Sequence, residues 1–410
     1  MDLSQMVTLD TATLLRMAQE NNPPVSSCKI KREPKRKLKY YKSYDLSHSP
    51  LFKIQYEKAL CTILNIEPKT IKNILNQKSD YYHTAEIKAK KTRDSHTPIN
   101  ELQKIHHRLA QFLVRIHRPD YVYSGVKGKS YINNVQVHSH YFETFSTDIS
   151  NFYPSTTQFI IFKFFRNKMQ CSHQVANILA ELCTLDKKLP IGSQISMILA
   201  FWANHDMFEE LNQLAKIHKL MMTVYVDDIT FSGTKIPAGF QQQVAQIIKK
   251  HGHLMSKKKT RLYQKYSHKE ITGLIVDKTR KNLTPPNHFY LELHQSLSEF
   301  NKIYAEMRSG KSSILQYQLR KLHNRLMGLL NHVAQFDNKY IPVKKHIKKQ
   351  YHDMISGKFK KPPQKENLSC SNKRKYSNRY SNRYSSYDEG GLSGLGELLS
   401  VHDWDIQNID

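Results

Sequence analysis

Two adjacent aspartates, Asp227 and Asp228, lie in the stretch TVYVDDITFSG, between apolar and β-branched runs. That pattern predicts a buried hairpin with both carboxylates at its turn. Like charges side by side in such a place repel unless cations neutralise them. Divalent metal ions bind carboxylate oxygens well, and a pair of them clamps the attacking and leaving oxygens of an in-line phosphoryl displacement. Such a site needs a further carboxylate on a neighbouring strand. Asp148, in FSTDISNFYPS, ends an apolar strand pattern and is the candidate. The residues alone leave a plain alternative open, an Asp-Asp turn that only solvates a hairpin.

The elements that must position these groups follow from local pattern. Helical patterns dominate from Leu51 to Ile116, and INELQKIHHRLAQFLVRI has apolar residues three and four apart. The glycine-bearing YVYSGVKGKSYINN after it reads as an irregular link. Then come a strand ending at Asp148, the helix TQFIIFKFFRNKM, one helical pattern through ISMILAFWANHDMFEELNQLAKIHKL and the aspartate hairpin. The helix FQQQVAQIIKKHG and a short strand in EITGLIV follow. This order predicts an α+β fold, an antiparallel sheet backed by helices of the split βαβ kind. Beyond Pro285 and Pro286 helical patterns return and close on the basic VKKHIKKQY, predicting a separate helical domain. Past Pro362 the chain is a near-repeat of Tyr-Ser-Asn-Arg with glycines, too poor in large apolar groups to pack, and is expected to be disordered.

Over 410 residues, 63 Lys and Arg against 35 Asp and Glu leave a net charge of +28. An excess of that size points to a polyanionic partner, nucleic acid ahead of a membrane surface. An unusually basic solvated surface is the bland alternative. KIKREPKRKLKYYK, from Lys29 to Lys42, reads as an extended arm suited to tracking phosphates. Cys28, Cys61, Cys171, Cys183 and Cys370 form no CxxC pair, which argues against a zinc ribbon or a disulfide framework and fits a reducing cytoplasm. No signal-peptide pattern opens the sequence and no apolar stretch approaches bilayer-spanning length, so no membrane partner is expected.

The motifs together resemble those of reverse transcriptases. YVDD (Tyr225 to Asp228) is similar to their YxDD motif, and DISNFYPS (Asp148 to Ser155) to motif A. LPIGSQIS (Leu189 to Ser196) resembles motif B, and HGHLMSKKKTR (His251 to Arg261) resembles motif D. NVQVH (Asn134 to His138) and ITGLIV (Ile271 to Val276) resemble the NAxxH and VTG elements of retron reverse transcriptases. The matches run in family order from Lys88 to Val276.

The resemblance implies a right-hand polymerase. Its parts would be a basic extension over 1–50, helical basic fingers over 51–140, a ferredoxin-like palm over 141–285, a helical thumb over 286–362 and a low-complexity tail over 363–410. It also implies two Mg2+ ions on Asp148 and Asp227, with Asp228 as a third carboxylate and the backbone carbonyl of Ile149 as an added ligand. Tyr153 falls where the family keeps an aromatic gate against a ribose 2′-hydroxyl. For the incoming triphosphate Arg93 is the first candidate, since a guanidinium fork suits phosphate, and Lys91 the second. Ile191 and Gly192 would border the nascent base pair. Lys259 would protonate or neutralise the pyrophosphate leaving group. Asn134, His138, Lys344, Lys345, Lys348 and Lys349 are the expected RNA contacts.

Departures from the family pattern gather in motif B, where Ile191 replaces glutamine and Gln194 and Met197 stand where retrons often have proline. With Val135 in NAxxH and the long polar tail, they incline the reading toward defence-associated "unknown group" enzymes over retrons proper. Either class implies a cytoplasmic bacterial RNA-directed DNA polymerase acting in antiphage defence. It would copy a noncoding RNA into DNA from deoxynucleoside triphosphates, with a second defence protein or a homo-oligomer as further partner. Three alternatives stay open: retron synthesis of branched RNA–DNA, a template-independent or protein-primed polymerase using tail hydroxyls such as Tyr376, Tyr380, Tyr384 and Tyr387, and a non-catalytic RNA-binding assembly protein.

Overall fold

The structure, a computed structural model, describes residues 42–87, 93–138, 142–277, 283–308 and 314–356. Lys91, nearly all of the basic arm, the tail with its tyrosines, Cys28 and Cys370 lie outside the described residues. The described chain divides near residue 282 into two compact units.

In the larger unit, α1 (Glu57–Leu64) and α2 (Pro68–Asn76) precede a two-stranded antiparallel ribbon, β1 (Tyr82–Ile87) and β2 (Arg93–Pro98). Helical patterns dominate this region as expected, and the ribbon is the exception to them. YHTAEI and RDSHTP pair along their whole length, Tyr82 opposite Pro98 and Ile87 opposite Arg93. Helix α3 (Asn100–Val114) follows the apolar period as expected, burying Leu102, Ile105, Leu109 and Leu113 on one face. The predicted irregular link ends in a short helix, α4 (Tyr131–Gln136). Ser130 caps it in a reciprocal box with Asn133, an S-x-x-N signal legible in the sequence.

Four strands make the central sheet: β3 (Glu143–Asp148), β4 (Met221–Tyr225), β5 (Asp228–Gly233) and β6 (Arg261–Tyr263). Their spatial order is β4-β5-β3-β6, all antiparallel, which is the split βαβ arrangement expected. Between β3 and β4 run α5 (Phe152–Ser155), α6 (Gln158–Lys163), α7 (His173–Leu182), α8 (Ser196–Ala203) and α9 (His205–Ile217), and α10 (Phe240–Lys250) joins β5 to β6. The long helical pattern through Ser196 to Ile217 is interrupted at Asn204, so it forms two helices rather than one. The free edge of β4 is covered by the segment before α4, with Tyr123 N–H donating to the Val224 carbonyl at 2.9 Å and Val224 N–H to that of Tyr121 at 2.8 Å. One hydrophobic core runs from Leu51 to Ile248 and includes Phe145, Phe231 and Phe240, whose rings pack across β3, β5 and α10. A small hairpin of β7 (Lys269–Ile271) and β8 (Leu274–Val276) completes this unit.

The smaller unit is helical: α11 (Asn287–Arg308), α12 (Ile314–Val333) and α13 (Tyr340–Ile355), with α12 packed on both of the others. Phe289, Leu293, Phe300, Leu322, Leu326, Tyr340 and Ile347 are buried in it. No described helix is long and apolar enough to cross a membrane.

Candidate active site

Strand register assembles the carboxylates. Asp148 ends β3 directly opposite Asp228 at the start of β5, and Asp228 also pairs with Tyr225 across the hairpin, leaving Val226 and Asp227 as a two-residue turn. Residues directly opposite on neighbouring strands share a face, so the register decides that these charges meet. One oxygen from each of Asp148, Asp227 and Asp228 lies within 4.8 Å of the others.

The turn is strained. Val226 has φ +59°, a left-handed conformation unfavourable for a β-branched residue, although positive φ at the first turn position suits hairpin twist. Two hydrogen bonds hold it there: Val226 N–H donates to Ser124 Oγ at 3.1 Å, and Ile149 N–H donates to the Asp227 carbonyl at 3.1 Å. Strain of this kind costs about 1–3 kcal/mol and persists only where the surroundings enforce it. Ser124 carries no signal in the sequence that marks it for this task. Ile149, expected as a backbone ligand, is fully buried beside Asp148 and ties motif A to the turn through its amide.

Lys259 approaches from the motif D segment, its Nζ 2.7 Å from Asp148 Oδ2. Burial works against its ammonium, but the Asp148 hydrogen bond and the three carboxylates outweigh that and raise its pKa. Burial, then repulsion from Asp228 and Asp148, holds Asp227 well above the ordinary carboxylate range. Burial and the Asp148 charge push Asp228 up to about 7. One ammonium does not neutralise three carboxylates, and a hard divalent cation with oxygen ligands would supply the two charges still lacking, so the donor set fits a metal ion.

The other motif residues distribute less evenly. Tyr153 sits half-buried in α5, four residues after Ile149, and packs on the core beside Phe152. Gly192, at φ +93°, belongs to a turn that touches the β1–β2 ribbon: His96 N–H donates to the Ile191 carbonyl at 2.7 Å, and a Cβ on Gly192 would collide with Ser95 Oγ. Ser95 and His96 thus join the motif B turn to the strand that begins with Arg93, a link no spacing in the sequence reveals. Gln194, in place of the usual proline, hydrogen-bonds His107 Nδ1 at 3.2 Å. In the helical unit Lys345, Lys348 and Lys349 are exposed on α13 and Lys344 is half-buried.

Asn134 and His138 are corrected outright as RNA contacts, because each is 1% exposed. Asn134 Nδ2 donates to Thr272 Oγ1 at 2.7 Å, at the turn between β7 and β8, where Thr272 and Gly273 both have positive φ. His138 bridges Ser232 Oγ on β5 and Thr223 Oγ1 on β4, each at 2.7 Å. Both side chains are internal braces, His138 for the β4–β5 hairpin and Asn134 for the β7–β8 hairpin.

A comparison with protein-family models finds no match. Among curated proteins, the retron Se72 reverse transcriptase of Salmonella heidelberg is 30% identical over 185 residues, which are 43% of this chain and 48% of that protein. The retron Ec86 reverse transcriptase of Escherichia coli is 22% identical over 52% of this chain and 67% of its own length. The retron Ec48 reverse transcriptase of Escherichia coli is 24% identical over 56% of this chain and 55% of its own. These curated relatives are retron reverse transcriptases.

The matches span about half the length of the first and third of these retron enzymes. All three belong to the class that the altered motif B had counted against. Among solved structures, telomerase from Candida albicans overlaps the chain at TM-score 0.33 and 10% identity, covering 70% of this chain and 65% of its own. The foamy viral protease-reverse transcriptase does so at 0.33 and 15%, covering 77% and 48%.

Proposed function

We propose that the chain is a retron-like RNA-directed DNA polymerase that extends a primer on a noncoding RNA template. The observation that carries this reading is the meeting of Asp148, Asp227 and Asp228 on paired strands, with Lys259 beside them. Asp148 and Asp227 would hold two Mg2+ ions, with Asp228 and the Ile149 carbonyl alongside. Bound there, the ions would activate the primer 3′-hydroxyl and stabilise charge on the leaving pyrophosphate. The chain's own part is placement. The β3–β5 register presents the carboxylates, the strained turn fixes Asp227, and Lys259 neutralises Asp148 and supplies a proton donor near the leaving group. Tyr153 would exclude a ribose 2′-hydroxyl, Arg93 and Lys91 would meet the triphosphate, and Ile191 and Gly192 would border the new base pair. Residues 51–140, 141–285 and 286–362 would serve as fingers, palm and thumb, with Lys344, Lys345, Lys348 and Lys349 on the duplex backbone. A bacterial cytoplasmic role in antiphage defence follows from the same kinship, as does a second defence protein or second copy as partner.

The test is primer extension by purified protein on an RNA template with deoxynucleotides and Mg2+, together with sequencing of the nucleic acid that co-purifies. Wild type should make DNA complementary to RNA, and Asp227→Asn/Asp228→Asn should make none. Equal product from both proteins would refute the assignment.

A further inference from the structure

A buried polar relay links motif D to the helical turn that carries Tyr153. His253 is 1% exposed, and its two ring nitrogens meet Ser155 Oγ and Asn204 Oδ1, each at 2.7 Å. Asn204, 4% exposed, is the residue that interrupts the long helical pattern between α8 and α9. Its Nδ2 donates to Thr156 Oγ1 at 3.0 Å and to the Ala200 carbonyl at 2.9 Å, so its Oδ1 must be the end that faces His253. An amide oxygen only accepts, so His253 Nε2 carries the proton and donates. Burial keeps the ring neutral at ordinary pH, with its pKa lowered to about 4, so Nδ1 accepts from the Ser155 hydroxyl. The Ser155 hydroxyl has one proton and two acceptors within reach, His253 Nδ1 at 2.7 Å and the Phe152 carbonyl at 3.2 Å, and the shorter contact is the one to the imidazole.

The relay's position gives it a task. Ser155 closes α5, the four-residue turn that holds Tyr153, and the Phe152 ring in the same turn packs 5.7 Å from the His253 ring. Immediately after His253, Ser150 N–H donates to the Leu254 carbonyl and Ser256 N–H to the Asp148 carbonyl, each at 2.8 Å. His253 thus sits next to the motif D segment that hydrogen-bonds the start of motif A, and its ring binds the far end of motif A as well. This imidazole adds a side-chain tie between the Tyr153 turn and the motif D segment that hydrogen-bonds the Asp148 end of β3.

We propose that His253 is a positioning residue for sugar discrimination: through Ser155 and Asn204 it fixes the Tyr153 turn at a set place relative to the catalytic carboxylates. The proposal rests on the polymerase reading above. A ring displaced by a fraction of an ångström still leaves the metal ligands in place but no longer excludes a 2′-hydroxyl, so selectivity should respond before chemistry does.

The experiment measures kcat/KM for a deoxynucleotide and the matching ribonucleotide in single-nucleotide extension, for wild type, His253→Gln, Ser155→Ala, the double variant and Tyr153→Ala. The deoxy-to-ribo ratio should fall about tenfold in His253→Gln and in Ser155→Ala, the worth of one hydrogen bond. The double variant should fall no further than His253→Gln, because both act through one contact. KM for the deoxynucleotide should rise more than kcat falls. Ser155→Ala removes a single hydroxyl and keeps the test available should His253→Gln fold poorly. A ratio unchanged in Ser155→Ala, with both substrates slowed alike, overturns the proposal while leaving the polymerase reading intact. A ratio unchanged in Tyr153→Ala overturns it by removing the gate. Wild type that extends no primer sinks the polymerase reading itself, and the inference with it.

Discussion

Replacing His138 by leucine separates the two roles this residue has been given. As an RNA contact it would change affinity alone; as an internal brace it would change stability. Its ring satisfies Thr223 on β4 and Ser232 on β5, which are 2% and 0% exposed. Leucine fills a similar volume but strands both hydroxyls, at about 1–3 kcal/mol each, so a loss of roughly 2–6 kcal/mol is expected. Urea unfolding followed by tryptophan fluorescence is the assay, since Trp202 is buried in the same unit and reports its packing. The midpoint should fall at constant m-value. The triple variant His138→Leu/Thr223→Val/Ser232→Ala should recover most of the loss, because removing all the partners of a buried polar group is nearly neutral. A single variant with unchanged midpoint and weakened RNA binding would refute the argument. So would a triple variant no more stable than the single.

Three other outcomes are expected. Burial lowers the pKa values of His106 and His253 to about 4 and of His138 to about 3, with smaller contributions from neighbouring groups. Their contribution to stability is complete above about pH 6.5 and is lost as pH falls toward 4, at up to about 1.4 kcal/mol per pH unit for each histidine. Urea unfolding at pH 7 and pH 5 should register this in the Asp227→Asn/Asp228→Asn background, where Glu270 is left as the one raised carboxylate among the described residues to oppose it; equal stability at both values would contradict it. Gly192→Ala should cost about 1–3 kcal/mol from its left-handed backbone, with a further loss from the clash with Ser95. Adding Ser95→Gly should restore only the clash component, and complete recovery in thermal melts would show that φ imposes no strain. Mg2+ should raise the melting temperature of wild type, whereas Asp227→Asn/Asp228→Asn should melt higher than wild type in EDTA and gain nothing from Mg2+. A metal response surviving in that variant would argue against the triad as the site.

Much of the site was legible because it rests on short-range pattern. The alternation around Asp227 and Asp228 announced a hairpin, and the apolar run before Asp148 announced its neighbour. What local pattern could not convey was direction inside the folded chain. Asn134 and His138 in NVQVH read as RNA contacts, yet both point inward, because a polar side chain gives no sign of whether its partner is solvent or another buried hydroxyl. The β1–β2 ribbon was missed for a related reason. Six-residue runs of polar and β-branched residues carry little hydrophobic period, and they become strands only by pairing with each other.

The sequence by itself determined which carboxylates exist, that a hairpin would carry two of them side by side, the antiparallel sheet with helices behind it, and a charge suited to nucleic acid, since periodicity follows from the chain's order and net charge from its composition. Tertiary structure decided that Asp148 stands opposite Asp228, that Val226 is held strained by Ser124, and that His253 joins motif D to the Tyr153 turn. Those facts depend on register and on contacts between residues up to about a hundred positions apart, and no local preference encodes a partner that only folding brings near.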